Sequence, residues 1–350
     1  MAAVTVDEFR ATLEAAINRR KCRYSNFFAF HFRWADDNTG AERDEKSFED
    51  MARLMGFPVL DTYVIPDGTL APGHEVSDRI FKIFRDAETA PGESIVMIHY
   101  SGHGGPNNLN ELALHSRYGK NIAMERIIGY MIPSENVDTH VDVIMILDCC
   151  YSFLASRTLK QESCVFEILT AGSNNDAAAF SAGVRNSFTS KLLVEIHSRA
   201  QAGDTFVEMA DVMDTLRKTS PLKKPGYASK LGAGSATLPL FPGLASTANT
   251  SHPQEPGMLA TFSLHISKTF NNVELEDIAM WLSNMPKVKG ASLKLEGIKI
   301  TNSMIFIFEA SCVSYYRVCG LPGVTLICEN LPVNFDWLLH RGYPRARIPS

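Results

Sequence analysis

Between residues 22 and 242 the chain alternates short apolar runs with longer segments of helical periodicity. The apolar runs are bounded by turn-forming residues and predict strands at FFAFHFRW, VLDTYVI, SIVMIHYSG, VDVIMILDC and CVFEILTAGS. The segments with a 3.6-residue period predict helices at ERDEKSFEDMARLMGF, HEVSDRIFKIFRDAE, NIAMERIIGYMI and SFTSKLLVEIHSRA. SATLPLF is predicted to be the last strand. Strands and helices in alternation predict a mostly parallel α/β sheet with helices on both faces.

The segments on either side of this region have different patterns. Thr5 and Glu8 can form a capping box ahead of an apolar stripe, so residues 1–21 predict an accessory helix. Residues 243–257, GLASTANTSHPQEPG, are rich in Ser, Thr, Pro and Gly and predict a linker. Residues 258–350 show a strand pattern, a helix pattern and then further strand patterns. They predict a small accessory α+β domain with a regulatory or structural role.

Composition narrows the classes of partner. The chain has 350 residues, 45% of them hydrophobic, which is enough for a sizeable core. A net charge of −5 gives no electrostatic reason to expect a nucleic acid partner. The apolar runs are far shorter than the ~20 residues of a membrane span, and charged residues near the N-terminus do not suit a signal peptide. We expect a cytoplasmic protein without membrane insertion.

The cysteines favour a reducing compartment. There are seven, an odd number that does not suggest a disulfide framework. Cys312, Cys319 and Cys328 lie in apolar, strand-like surroundings without ligand spacing, so we expect buried thiols there and no zinc site.

Two candidate catalytic residues follow two of the predicted strands. His103 comes after the strand that ends at Tyr100, and Cys150 ends the strand that begins at Val141. In an open parallel sheet, ligands bind beyond the carboxyl ends of the strands. We therefore expect both side chains on the same rim of the sheet.

Cysteine and histidine together suffice for peptide-bond cleavage through an acyl-enzyme. The imidazole activates the thiol and protonates the departing amine. Gly104 has no side chain, so its N–H can approach a substrate carbonyl and form an oxyanion hole with the N–H of Cys150.

The motifs around these residues resemble those of a known family. HYSGHGG is similar to the histidine motif of metacaspases and caspase-like peptidases, and DCCYS resembles their Asp-x-Cys-x-Ser nucleophile motif. Cys150 lies 47 residues after His103, close to the caspase spacing of about fifty. SFTSKLL, ATLPLF and the early RWADD resemble further landmarks, the last of fungal caspase-like proteins. The resemblance covers roughly residues 22–242 and implies a caspase-like catalytic domain.

The resemblance also implies the roles of particular residues. Cys150 would be the nucleophile and His103 the general acid and base of a cysteine endopeptidase. Phe153 departs from the pattern, because many relatives have Gly there, and this departure bears on fine specificity. Fungal relatives take part in programmed cell death and non-self recognition, where they cut pore-forming proteins to activate them. The expected partner is thus a protein or peptide substrate, such as a gasdermin-like pore-forming protein.

Acidic residues predict the preference for the residue before the scissile bond. Asp148 shares its strand face with Cys150, and by resemblance an acid at this position binds a basic side chain. We therefore predict cleavage after Arg or Lys. Asp36, Asp37 and Asp176 are candidate second acids of this pocket, and for each of them a solvated loop acid is an equally good interpretation.

Three alternatives concern residues beside these motifs. Cys149 is a competing nucleophile, although strand alternation points it away from the face of Cys150. His31 and His99 alternate within apolar strands and are expected to be core or rim residues. GHGG lacks the lysine and the spacing of a phosphate-binding P-loop.

Activation and cofactors are less constrained by the sequence. Arg157 and Lys160 lie in FLASRTLKQES and match the expected preference, so this segment is either an autoprocessing site or an ordinary connecting loop. No cofactor is required by a Cys-His mechanism. The resemblance leaves calcium open as an activator, although no EF-hand loop is visible. A catalytically silent caspase-fold scaffold or receptor is the alternative function, and the oligomeric state is left open.

Overall fold

A computed structural model describes most of the chain. The described residues are 24–131, 140–156, 164–172, 187–220, 223–231, 234–241, 258–266, 272–283, 293–300, 304–319 and 323–330. The accessory helix predicted for residues 1–21 and the linker at 243–257 lie outside them and stay predictions.

Up to residue 241 the described strands and helices mostly alternate, and β3 to β6 are four consecutive strands. In order they are β1 (Tyr24–Trp34), α1 (Ala41–Leu54), β2 (Leu60–Ile65), α2 (Pro72–Thr89), β3 (Glu93–Ser101), β4 (His103–Pro106), β5 (Leu112–His115), β6 (Asn121–Ala123), α3 (Met124–Met131), β7 (Val141–Asp148), a 3₁₀ helix (Ser152–Ser156), β8 (Phe166–Thr170), α4 (Phe188–Gln201), β9 (Phe206–Glu208), α5 (Met209–Thr219), β10 (Gly226–Leu231), β11 (Thr237–Pro239), β12 (Leu259–Ile266), α6 (Asn272–Ser283), β13 (Leu293–Ile300), β14 (Met304–Ser311), α7 (Cys312–Val318) and β15 (Val324–Asn330).

A six-stranded sheet forms the centre of the molecule, in the order β10-β8-β7-β3-β1-β2. Five of its strands run parallel to one another: β2, β1, β3, β7 and β8. β10 pairs antiparallel with β8 at the edge. The prediction of a mostly parallel α/β sheet is confirmed. β3 and β7 lie in the middle and are buried on both faces, as their continuous apolar runs indicate.

Helices cover both faces of this sheet. The apolar faces of α1, α4 and α5 pack on one side, with Phe48, Leu192 and Val212 among the buried residues. The apolar faces of α2 and α3 pack on the other side, with Ile80 and Ile127 among the buried residues. Since successive side chains of a strand point to opposite faces, each central strand contributes to both cores.

The last strand of the central sheet is not the predicted one. Within SATLPLF, β11 pairs with β9 in a separate two-stranded sheet, and β10 closes the edge of the central sheet instead. Pro239 has no N–H to donate, which suits a short edge pairing better than a long strand. β10 escaped prediction because GYASKL lacks an apolar run.

The C-terminal region forms a four-stranded antiparallel sheet in the order β13-β14-β12-β15, with α6 and α7. β12 and β14 alternate buried and half-buried residues, and Phe262, Phe306 and Phe308 build a core of their own. The strand-like surroundings expected for Cys312 and Cys319 are wrong, because Cys312 begins α7 and Cys319 follows its end. The buried thiol expected at Cys328 is also wrong, because this residue is exposed on β15. Ser311 caps this helix by accepting from Ser314 N–H at 3.2 Å.

The C-terminal sheet is attached to the rest through buried contacts. Cys312 and Tyr316 of α7 belong to the same apolar core as α5. Arg317 donates to both carboxylate oxygens of Glu208, each at 2.6 Å, and both side chains are buried. A buried bidentate pair of this kind fixes the orientation of the two segments it joins.

Candidate active site

The central strands bring His103 and Cys150 to the same rim. β3 and β7 are parallel neighbours, and Ser101 is the register partner of Asp148. His103 and Cys150 each stand two residues beyond this pair, on chains about 4.8 Å apart where the strands end. The two segments therefore leave the sheet side by side.

Gly104 holds the two segments in direct contact. A Cβ atom on Gly104 would lie 2.5 Å from Cys150 O and 2.8 Å from Cys149 Sγ, so a residue with a side chain does not fit there. Gly102 is equally restricted, since it has a φ of 140° and a Cβ would lie 2.9 Å from Asp37 Oδ2. The two glycines around His103 thus allow β4 to pack against the turn that carries Cys150.

The N–H of Gly104 points away from the neighbouring strand. β4 pairs antiparallel with β5, and Asn107 N–H donates to Glu111 O at 2.8 Å where this hairpin begins. Along an antiparallel ladder, pairs of residues that are joined by N–H···O bonds alternate with pairs that are not. Asn107 and Glu111 are joined by such a bond, so Gly104 and Leu114, three positions further along the ladder, are a non-hydrogen-bonded pair. The Gly104 N–H is therefore directed to the open edge of β4, as an oxyanion donor requires.

Asn38 orients the imidazole of His103. Its Oδ1 lies 2.6 Å from His103 Nε2. Because an amide oxygen only accepts hydrogen bonds, Nε2 carries the proton and Nδ1 presents a lone pair. The carbonyl of His103 accepts from Tyr100 Oη at 2.8 Å, which fixes the backbone as well.

The two neighbouring cysteines differ in their surroundings. Cys149 is buried in the apolar core under α2 and α3, and this burial raises the pKa of its thiol well above the ordinary value. Cys150 is half-buried at the rim, followed by Tyr151 with a φ of 57°. A non-glycine residue in this region is uncommon and is often found at functional sites. Of the two candidate nucleophiles, these surroundings favour Cys150 over Cys149.

Asp148 lies at the carboxyl end of β7 and caps α4. It is 5% exposed, and its Oδ2 accepts from Thr189 N–H and Thr189 Oγ1, both at 2.8 Å. Burial raises the pKa of Asp148 to about 6, while the Thr189 hydrogen bonds and the charge of Lys191 oppose the rise. Asp44 of α1 lies close by, and burial followed by the charge of Asp148 raises its pKa to about 7. The ionisations of Asp148 and Asp44 are therefore linked, because a charge on Asp148 disfavours a charge on Asp44.

The structure describes two of the other acids that the sequence predicts for this pocket, Asp36 and Asp37. Asp37 Oδ1 accepts from Thr39 N–H and Thr39 Oγ1 at 2.8 Å, and its Oδ2 is buried without a hydrogen-bond partner among the described residues. Asp36 Oδ2 accepts from Tyr118 N–H at 3.3 Å. Both acids follow β1, beside the strand that leads to His103. Asp176 lies outside the described residues, as do Arg157 and Lys160 of the expected processing segment.

Phe153 lies on the 3₁₀ helix that follows the turn carrying Cys150. Its ring is half-buried, packs on the core under α2 and α3, and stands 6.3 Å from the ring of Tyr151. The bulky side chain at this position is thus accommodated by the core.

Sequence reasoning missed three participants in this site: Asn38, Asp44 and Thr189. Asn38 carried a signal, because it follows Asp36 and Asp37 at the carboxyl end of a strand next to β3. The other two lie on helices, and their proximity to Asp148 depends on helix packing that no local pattern reveals.

Comparisons with known proteins do not identify the chain: no protein-family model matches it, and no curated protein does. Within the described residues, no group of three His, Cys, Asp or Glu side chains lies close enough to hold a metal ion. No helix in the described part of the chain is long and apolar enough to cross a membrane.

Proposed function

We propose that the protein is a caspase-like cysteine endopeptidase in which Cys150 is the nucleophile and His103 the general acid and base. The close approach of Gly104 to Cys150 O carries this proposal, because it joins the two motif segments at one rim. The orientation of His103 by Asn38 and the burial of Cys149 support the same assignment. The resemblance of HYSGHGG and DCCYS to caspase-like motifs suggests the family.

The geometry suits acyl transfer step by step. His103 Nδ1 takes the proton of the Cys150 thiol, and the thiolate attacks the substrate carbonyl. The N–H groups of Gly104 and Cys150 stabilise the oxyanion. His103 then gives its proton to the leaving amine, and the C–N bond breaks. Water, deprotonated by His103, attacks the thioester and releases the acid product and the thiol.

The proposed preference is for Arg or Lys before the scissile bond. An ionised Asp148 would attract a basic side chain and repel an acidic one. Asp37 is the proposed second acid, because its buried Oδ2 has a hydrogen-bonding capacity that no described residue uses. From the resemblance alone we also propose a pore-forming protein as substrate and calcium as an optional activator.

Hydrolysis of short fluorogenic peptides tests the proposal. The wild type should cut after Arg or Lys in preference to Asp or Leu, with activity compared in calcium and in chelator. Cys150→Ala and His103→Ala should each lose at least a hundredfold in kcat, whereas Cys149→Ala should remain active. A purified, folded wild type that cuts none of these peptides in either condition would favour the scaffold function instead.

A further inference from the structure

A buried chain of hydrogen bonds runs from the middle of the central sheet to Asp148. His31 of β1 and His99 of β3 are register partners, and neither is exposed to solvent. Their Nδ1 atoms lie 2.9 Å apart. His99 Nε2 lies 2.9 Å from Thr189 Oγ1, and this hydroxyl contacts Asp148 Oδ2 at 2.8 Å. Four side chains from four elements thus form one continuous path.

The ionisation state of Asp148 sets the direction of every hydrogen bond in this path. An ionised carboxylate only accepts, so the Thr189 hydroxyl donates to it. The Thr189 oxygen then accepts from His99, which places the His99 proton on Nε2. His99 Nδ1 is left as an acceptor, so His31 donates from Nδ1. A protonated Asp148 could instead donate to Thr189, and both rings would then take the opposite tautomers.

The surroundings keep both rings neutral. Burial, followed by the charge of Arg33, lowers the pKa of His31 to about 3. Burial, followed by the charge of His31, lowers the pKa of His99 well below its usual value. Glu45 of α1 acts in the opposite direction, because its Oε2 lies 3.7 Å from His31 Nε2, but Arg33 pairs with the same oxygen at 3.0 Å and offsets its charge. The ring of Phe48 stacks on His99 with centroids 4.6 Å apart.

The charged groups near Asp148 come from α1, from the segment after β1 and from α4. Asp44 lies on α1, Asp37 follows β1 and influences Asp44, and Lys191 lies on α4. The acids oppose an ionised Asp148, whereas Lys191 and the hydrogen bonds at the start of α4 favour it. The orientation of the Thr189 hydroxyl can therefore shift this balance.

We propose that His99 is a positioning residue: together with His31 it holds the Thr189 hydroxyl in the orientation that donates to Asp148, and so keeps this carboxylate ready for a basic substrate side chain. The proposal deepens the peptidase function and rests on it, because Asp148 is there the acid that recognises Arg or Lys. It gives a role to the first histidine of HYSGHGG, which acts through Thr189 and not on the substrate.

The tautomers provide a test that does not depend on activity. Long-range ¹H–¹⁵N spectra of the histidine-labelled full chain at pH 8 should show the proton of His99 on Nε2 and that of His31 on Nδ1. His99→Gln and His31→Gln assign the signals. Opposite tautomers, or a doubly protonated ring, would overturn the proposed path.

Kinetics test the consequence for specificity. In Thr189→Val the ratio of kcat/KM for an Arg peptide to that for a Leu peptide should fall about tenfold, the equivalent of one hydrogen bond to a charged group. The loss should appear in KM for the Arg peptide. His99→Gln should behave alike, and Thr189→Ser, which keeps the hydroxyl, should retain the wild-type ratio.

Thr237→Val is the matched control, because Thr237 is a buried threonine of β11 outside the path. It should leave the ratio unchanged. Equal losses on both peptides in Thr189→Val would indicate a merely structural role and overturn the proposal, as would an unchanged ratio. If the wild type cuts no peptide, the proposed function fails, and the tautomers still decide whether the path exists.

Discussion

At the scale of single residues, the motifs alone do not distinguish Cys149 from Cys150 or His99 from His103. The position and burial of each side chain do. Cys149 and Cys150 are adjacent in the chain, yet one is sealed in an apolar core and the other is half-buried at the rim. His103 and His99 belong to one motif, yet only His103 stands beyond the end of the strand. Burial and strand alternation account for both distinctions.

Asn38 should matter for the rate of the chemical step. Asn38→Ala removes the acceptor of His103 Nε2, so the ring loses its fixed tautomer and kcat should fall about tenfold or more. Asn38→Asp keeps an acceptor and adds a negative charge that stabilises the imidazolium. Its activity should therefore persist, with the acidic limb of the kcat profile moved to higher pH. Unchanged kcat in Asn38→Ala would exclude the orienting role.

The ionisation of Asp148 should make substrate preference depend on pH. Its pKa is raised to about 6, so the acid is neutral below that pH and ionised above it. The ratio of kcat/KM for an Arg peptide to that for a Leu peptide should rise with pH through about 6 and then level off.

Two variants serve to check this dependence. Asp148→Asn should flatten the profile of the ratio. Asp142→Asn changes a buried acid at the other end of β7, and this variant should keep the pH dependence of the ratio. A ratio that does not vary with pH in the wild type would argue against Asp148 as the recognising acid.

At the scale of elements, the long apolar strands were predictable and the short or polar ones were not. β3 and β7 are buried on both faces, so their sequence alone indicates central parallel strands. The hairpin of β4 and β5 is four residues on each side, too short for a periodic signal. β10 contains Ser229 and Lys230, which are polar residues but are buried by tertiary packing. Pairing across the sheet decides such strands, and no local pattern shows it.

The packing of β4 on the turn that carries Cys150 should not tolerate a side chain at Gly104. Gly104→Ala would place a methyl group 2.5 Å from Cys150 O, so β4 and the turn must separate. We expect a loss of at least a hundredfold in kcat/KM, together with a lower midpoint of urea unfolding. Gly68→Ala is the control, because a Cβ there meets nothing within 4 Å. Full activity of Gly104→Ala would contradict the proposed contact.

At the scale of the whole molecule, the rim follows from the order of the strands. β1, β3 and β7 are separated in the sequence but are neighbours in the parallel sheet, so their carboxyl ends lie next to one another. This juxtaposition was predictable from the strand pattern. The attachment of the C-terminal sheet was not, because the buried contact of Arg317 with Glu208 joins residues 109 positions apart.

Covalent labelling measures most directly whether Cys150 and His103 act as one unit. The full chain is treated with an Arg-containing peptidyl chloromethyl ketone, and the modified residue is located by mass spectrometry. We expect alkylation of Cys150 in the wild type and in Cys149→Ala, and a rate at least a hundredfold lower in His103→Ala. Modification of Cys149 instead, or equal rates with and without His103, would contradict this expectation.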